Sequence, residues 1–189
     1  MSRLTSTVII LETPRLQLRE FVPDDVNALA RVLSDPQTMR YYPTPYDRTG
    51  VADWISRNRW RYQEEGHGLW GMVLKSSGEL IGDCGLIRQM VDGVDETEIG
   101  YHVRRDYWGQ GLATEAARAC RDYGFASLNV ERLISLIRPE NLPSRRVAEK
   151  NDMKIIKEVT WRGLRHCVYG IERPKAEVQQ PSDLQSCKE

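Results

Sequence analysis

Tyr107-Trp108-Gly109-Gln110-Gly111-Leu112-Ala113-Thr114-Glu115-Ala116 joins a strand-like run to a helix-like run through two glycines one residue apart. Without Cβ atoms at Gly109 and Gly111, the backbone can bring several N–H groups onto one anion where a helix begins, and a pyrophosphate suits such a row of donors. Downstream, Leu112, Ala113, Ala116, Ala117, Cys120 and Gly124 fall at helical spacings and predict a helix with a narrow, small-residue face that packs closely on a sheet. Two other phosphate loops do not fit. The Gly-x-x-x-x-Gly-Lys-Ser/Thr loop needs a Lys and a hydroxyl after its second glycine, where this chain has Leu112 and Ala113. The dinucleotide fingerprint needs a third glycine in an early βαβ unit, and this loop has none and lies past mid-chain.

Working outward, Thr97 to Val103 reads as the strand feeding the loop, and Leu133 to Ile137 as a short apolar strand after the helix. Leu69 to Leu74 and Leu80 to Arg88 are strands joined across Lys75-Ser76-Ser77-Gly78-Glu79, with a further turn at Gly93. Lys154 to Trp161 and Cys167 to Glu172 form a last hairpin around Arg162-Gly163. Toward the N-terminus a strand from Leu16 into Phe21 precedes a helix start at Pro23-Asp24-Asp25, with Asp24 as the expected cap. A second helix is predicted from about Thr49 to Glu65, ending at Gly66. Between these helices, Tyr41-Tyr42-Pro43-Thr44-Pro45-Tyr46 is aromatic and proline-stiffened. The order is that of an α+β protein.

The block from Glu98 to Ala116 resembles the acetyl-CoA motif of the GNAT N-acetyltransferases, most closely in their ribosomal-protein-alanine N-acetyltransferase-like branch. The general Gln/Arg-x-x-Gly-x-Gly/Ala motif aligns on Trp108, Gly111 and Ala113, and Trp108 departs from it by replacing a polar side chain. A second block, Asn141-Leu142-Pro143-Ser144-Arg145-Arg146-Val147-Ala148-Glu149-Lys150-Asn151-Asp152-Met153, is similar to the family's Asn-x-x-Ser-x-x-Val-x-Glu-Lys-x-Gly-Met/Phe segment. Asp152 stands where the family has a helix-ending glycine, a left-handed position that Asp tolerates better than most residues. With Thr13-Pro14-Arg15-Leu16-Gln17-Leu18-Arg19, the resemblance spans residues 11–173 and implies one domain there. Residues 174–189 are polar and are expected to fray.

The resemblance implies a mixed central sheet, mostly antiparallel, in which the strands near Thr97 to Val103 and Leu133 to Ile137 run parallel but splay to admit the pantetheine arm. Helices flank the sheet, and a bulge near Gly100 is expected. Acetyl-CoA is the implied acetyl donor. The backbone of Tyr101, His102 and Val103 would face its thioester, and the segment Trp108, Gly109, Gln110, Gly111, Leu112, Ala113 and Thr114 its pyrophosphate. Asn141 would cap its helix or hold the pantetheine. Amine acylation needs a neutral nucleophile, a polarised carbonyl and a proton for the leaving thiolate. Glu98, sharing a strand face with Gly100 and His102, is the candidate base, against the plainer reading of a solvated strand glutamate. Ser144 is the candidate thiolate donor, against a backbone-bonding role in the first turn of its helix, with Tyr101 and Tyr169 as fallbacks. Tyr42 and Tyr46, with the hairpin near Trp161 to His166, form the expected substrate rim.

With 27 basic and 27 acidic residues in 189, the chain gives no electrostatic case for nucleic acid or an anionic membrane. No long apolar run or signal-like start is seen, so a cytoplasmic enzyme is expected. Cys84, Cys120, Cys167 and Cys187 are widely spaced and read as buried or incidental thiols. His67, His102 and His166 lack metal-ligand spacing, and no metal is expected. Trp54, Trp60 and Trp70 read as core or helix-packing residues. The expected reaction is acetyl transfer to a primary amine, foremost a protein N-terminal α-amine, by a monomer or homodimer. A small-molecule amine such as an aminoglycoside or polyamine, and a non-catalytic acyl-CoA-binding domain, are the competing readings.

Overall fold

The computed structural model describes residues 8–174, so all but the first residue of the tail expected at 174–189 lies outside the described residues. Eight strands and four helices follow in the order β1 (Ile9–Glu12), β2 (Leu16–Arg19), α1 (Val26–Leu33), α2 (Arg48–Glu64), β3 (Leu69–Leu74), β4 (Leu80–Val91), β5 (Val94–Val103), α3 (Leu112–Ser127), β6 (Arg132–Ile137), α4 (Leu142–Glu149), β7 (Lys154–Trp161) and β8 (Leu164–Glu172). The strands form one sheet in the order β1-β2-β3-β4-β5-β6-β8-β7. Every neighbouring pair is antiparallel except β5–β6. This is the expected α+β sheet with one parallel pair.

Side-chain alternation assigns the layers. Cys84 pairs with Tyr101 and Asp83 with His102 across β4 and β5, so each pair shares a sheet face. Cys84 Sγ lies 3.5 Å from Cys120 Sγ, which puts α3 on its face, whereas Asp83 accepts a hydrogen bond from Trp54 of α2 on the other. Both cysteines are fully buried, and burial pushes the Cys84 thiol up, keeping it protonated. α3 lies close because its buried face is Leu112, Ala116, Ala117, Cys120 and Gly124. A Cβ on Gly124 would come within 3.0 Å of Leu133 and 3.1 Å of Leu86, so a larger residue would push the helix off the sheet. The hairpin turns Asp92-Gly93 and Arg162-Gly163 have positive φ at both residues, the combination that suits the twist of paired strands.

Several local expectations need correction. β1 escaped the sequence reading because four residues with a mixed burial pattern carry no clear period. Asp24 is not the cap of the first helix. Asp25 holds the cap position, but its side chain bonds no N–H of the helix: it accepts from Val22 N–H at 2.9 Å, receives the Arg19 guanidinium at 2.7 and 2.8 Å, and is 7% exposed. No bulge occurs at Gly100: the β4–β5 ladder runs without a register shift from Gly82–Val103 to Val91–Val94. Trp60 is 57% exposed, and only Trp70 of the three tryptophans is fully buried. Asp152 does adopt the left-handed conformation, with φ 63°.

Candidate active site

Gly109 and Gly111 have φ of 76° and 78°, a region that costs any residue with a Cβ. Gly111 is the N-cap of α3, and the first backbone bond of that helix runs from Glu115 N–H to Gly111 C=O at 3.0 Å. The N–H groups of Leu112, Ala113 and Thr114 therefore have no acceptor within the helix and point out of its positive end. Trp108, 41% exposed beside the loop, turns its indole N–H back onto Val103 C=O at 2.6 Å.

Arg15 braces this loop, a role the sequence reading missed. Its guanidinium donates to Gln110 C=O at 2.9 Å and to Glu115 at 2.6 Å, while its backbone N–H and the Thr13 hydroxyl also donate to Glu115. Burial works against the Glu115 charge, but these bonds from Thr13 and Arg15 hold the carboxyl below its ordinary range. The Thr13-Pro14-Arg15 run was legible only as part of a resemblance, because contacts a hundred residues apart leave no local period. Arg15→Ala is expected to raise the acetyl-CoA KM about tenfold, or about 1.4 kcal/mol, while the rate at saturating donor changes little. Initial-rate titrations of acetyl-CoA check this.

β5 and β6 share a single register pair, Glu98–Ile134. Beyond it, side chains replace the ladder: Ser135 Oγ donates to Ile99 C=O at 2.8 Å, and Leu136 N–H donates to Glu98 Oε1 at 3.2 Å. Since the Ile99 carbonyl faces β6, alternation turns the backbone of Tyr101 and Val103 the same way, toward the opening, and that of His102 toward β4. Tyr101 N–H is thus positioned for a carbonyl lying between the strands. His102 faces the site with its ring.

Glu98 bridges the splay. Its second oxygen accepts from Gln89 Nε2 at 3.0 Å. Burial pushes its carboxyl up, and the bonds from Leu136 and Gln89, with the nearby His102 and Arg162, only partly oppose the shift. On the same sheet face, Tyr42 reaches in from the α1–α2 connection to place its hydroxyl 2.7 Å from His102 Nε2. Tyr46 packs on Trp54 with ring centroids 5.4 Å apart, so it shapes the rim by supporting the tryptophan. The last hairpin is tied to β4 by Trp161 Nε1 donating to Met90 C=O at 3.2 Å.

On the opposite face, Tyr101 OH donates to Ser144 C=O at 2.9 Å. Asn141 caps α4, its side chain accepting from Ser144 N–H at 3.2 Å. The capping task thus falls to Asn141, and among the described residues no hydrogen-bond partner holds the Ser144 hydroxyl. Tyr169 is engaged elsewhere, receiving Arg145 Nε and donating to Glu149. His67 and His166 each bond a backbone carbonyl, and no group of potential metal ligands clusters among the described residues. Surface cavities of about 380 and 390 Å³ lie at the Asp95–Thr97 end of β5, beside Asn129 and Val130; His67 lines the first, and neither includes Glu98, His102, Tyr42 or Ser144.

A mostly antiparallel sheet with one splayed parallel pair, followed by a helix whose start is free to take an anion, is a GNAT fold, and the family described as the acetyltransferase (GNAT) domain matches residues 15–154. The chain belongs to that family and is an acetyl-CoA-dependent N-acetyltransferase. It is 38% identical to the uncharacterized protein YkkB of Bacillus subtilis (strain 168) over 150 residues, covering 79% of this chain and 87% of that protein. The acetyltransferase from Agrobacterium tumefaciens str. C58 superposes with a TM-score of 0.75 at 27% identity, over 91% of this chain and 99% of the other. The ribosomal-protein-S5-alanine acetyltransferase from Vibrio fischeri shares the fold, with a TM-score of 0.67 at 16% identity over 90% and 98% of the two chains.

Proposed function

We propose that this N-acetyltransferase acetylates a protein N-terminal α-amine, using residues 11–173 as a single catalytic domain. The observation that carries the chemistry is the parting of β5 and β6 beyond Glu98–Ile134, which leaves an opening between a backbone donor at Tyr101 and the free N–H groups of α3. In this reading the pyrophosphate of acetyl-CoA lies on the segment from Gly109 to Thr114, and Trp108 flanks it. Tyr101 N–H, with Val103 beside it, stabilises the oxyanion that forms on the thioester carbonyl. Glu98 takes a proton from the incoming ammonium, directly or through one water, and Ser144 supplies one to the departing thiolate. Asn141 fixes the turn from which Ser144 projects. The enzyme works in the cytoplasm; among the described residues no helix is long and apolar enough to cross a membrane.

The N-terminal acceptor is favoured by the likeness to a fold-mate named for ribosomal-protein alanine acetylation. It is favoured also by the open rim around Tyr42, itself 42% exposed, which leaves room for a chain extending from the amine. The test is thiol release with a panel of N-terminal peptides, aminoglycosides and polyamines. Peptides are expected to exceed every small amine in kcat/KM by at least about tenfold, a difference of about 1.4 kcal/mol. A small amine turning over faster than all peptides overturns the acceptor assignment, and binding of acetyl-CoA without turnover of any amine overturns the catalytic one. Tyr46→Ala, which removes support from Trp54, is expected to alter acceptor KM or preference while acetyl-CoA affinity stays within about twofold. Unchanged kinetics across several active amines would move selection away from this rim.

A further inference from the structure

A buried polar chain runs behind the acceptor rim. Trp54 Nε1 donates to Asp83 Oδ2 at 2.9 Å, His102 Nδ1 lies 2.7 Å from Asp83 Oδ1, and the Tyr42 hydroxyl lies 2.7 Å from His102 Nε2. Asp83 is 0% and His102 8% exposed. A carboxylate accepts only, so Nδ1 carries a proton toward Asp83; in the neutral imidazole Nε2 then presents its lone pair, and Tyr42 donates to it. Although Tyr42 as a whole is 42% exposed, its hydroxyl is turned inward against His102, and desolvation there, reinforced by the charges of Glu98 and Asp83, keeps the phenol protonated. Its oxygen retains lone pairs for a further donor on the rim side.

Packing alone gives no reason for this arrangement, since burying an Asp–His pair carries a desolvation cost that an apolar pair would avoid. The reaction gives one. A primary ammonium that becomes an amide gives up two protons from nitrogen, one before attack and one after the C–N bond has formed, and Glu98 accounts for the first.

We propose that Tyr42 is a catalytic residue that takes the second proton, with His102 and Asp83 as the positioning pair that receives it. The amine lone pair forms the C–N bond, and the nitrogen of the adduct then passes a proton to the Tyr42 oxygen. As it does so, the Tyr42 O–H proton moves to His102 Nε2. The C–S bond breaks with its electron pair on sulfur, and the imidazolium, held by Asp83, returns its proton to water. This division of labour rests on the acetyl-transfer reading above and holds for any primary amine.

The test is single-turnover acetyl transfer at saturating acetyl-CoA and amine, with Tyr42→Phe, His102→Gln and the double variant. Tyr42→Phe removes one oxygen from a partly exposed ring, so the fold is expected to persist, as a thermal melt would verify. The single variants are expected to lose about 10- to 100-fold in the chemical step, with amine KM within about threefold. The double variant should be no slower than the worse single, because both break one path. A Tyr42→Phe rate within about threefold of the parent, a loss confined to KM, or losses that multiply in the double variant would each overturn the relay. If His102→Gln fails to fold, the Tyr42→Phe rate and KM decide alone. A parent that acetylates no amine defeats the acetyl-transfer reading and the relay with it, whereas an active parent with an unaffected Tyr42→Phe defeats only the relay.

Discussion

Ser144→Ala and Glu98→Gln are each expected to lower the single-turnover rate about 100-fold while leaving acetyl-CoA affinity within about twofold, and their pH profiles should differ. The Ser144 backbone N–H, which Asn141 caps, survives the change to alanine, so α4 keeps its start and only the unpartnered hydroxyl is lost. The loss should therefore appear at every pH. Asn141→Ala, by contrast, is expected to cost about 1 kcal/mol of stability through the cap itself. For Glu98→Gln the loss should be largest on the acidic side, where the free-amine fraction is smallest, and should shrink as rising pH deprotonates the amine without help. Because burial raises the Glu98 carboxyl, the acid limb of the parent should lie above that of an ordinary glutamate.

The same shift makes a stability prediction with a definite sign. Between the ordinary glutamate value and the raised folded value, the folded chain holds a proton that the unfolded chain has released. Stability from this group is thus complete below that window and falls as pH rises through it. Glutamine does not titrate, so Glu98→Gln should melt higher than the parent above the window. Thermal melts across the pH range check this, and equal Tm values at neutral pH would argue against a carboxylate under desolvation strain. Losses below about threefold in the single-turnover rate would count against either catalytic role.

The sequence made the central part of the fold legible because its signals are local. Lys154 to Trp161 and Leu69 to Leu74 alternate or run apolar between clear turns, and both match the observed strands. The α3 face could be read from small residues at helical spacing, and the left-handed Asp152 from the motif position it fills. What escaped depends on contacts across the chain. The brace of Arg15 on Glu115 and Gln110 joins the residue just before β2 to the glycine loop and the first turn of α3, about a hundred residues away. The Asp83–His102–Tyr42 chain draws on β4, β5 and the α1–α2 connection, so the sequence could put the His102 ring on the site face of its strand but could not name Asp83 and Tyr42 as its partners. Periodicity placed Glu98 and His102 on one face; it could not say that Leu136 and Gln89 occupy the glutamate's oxygens.

Gly111→Val is expected to weaken acetyl-CoA binding at least about tenfold, or about 1.4 kcal/mol, in a chain that still folds. The geometry says which mechanism dominates. A Cβ built on Gly111 meets only Arg15 Nη2, at 3.6 Å, an ordinary contact, so crowding within the protein does not decide the outcome. The backbone does: φ is 78°, where a β-branched residue is strongly disfavoured at a cost of about 1–3 kcal/mol. The chain should relieve that strain by rotating the loop, which withdraws the N–H groups of Leu112 to Thr114 from the shared direction that an anion requires. Gly111→Asn separates strain from bulk, since asparagine tolerates the left-handed region while still adding a side chain. If backbone direction governs binding, asparagine should retain most of the affinity and valine should not. Calorimetric titration of CoA into both folded variants measures the difference, and a valine variant that binds as tightly as the parent would remove the loop from the pyrophosphate site.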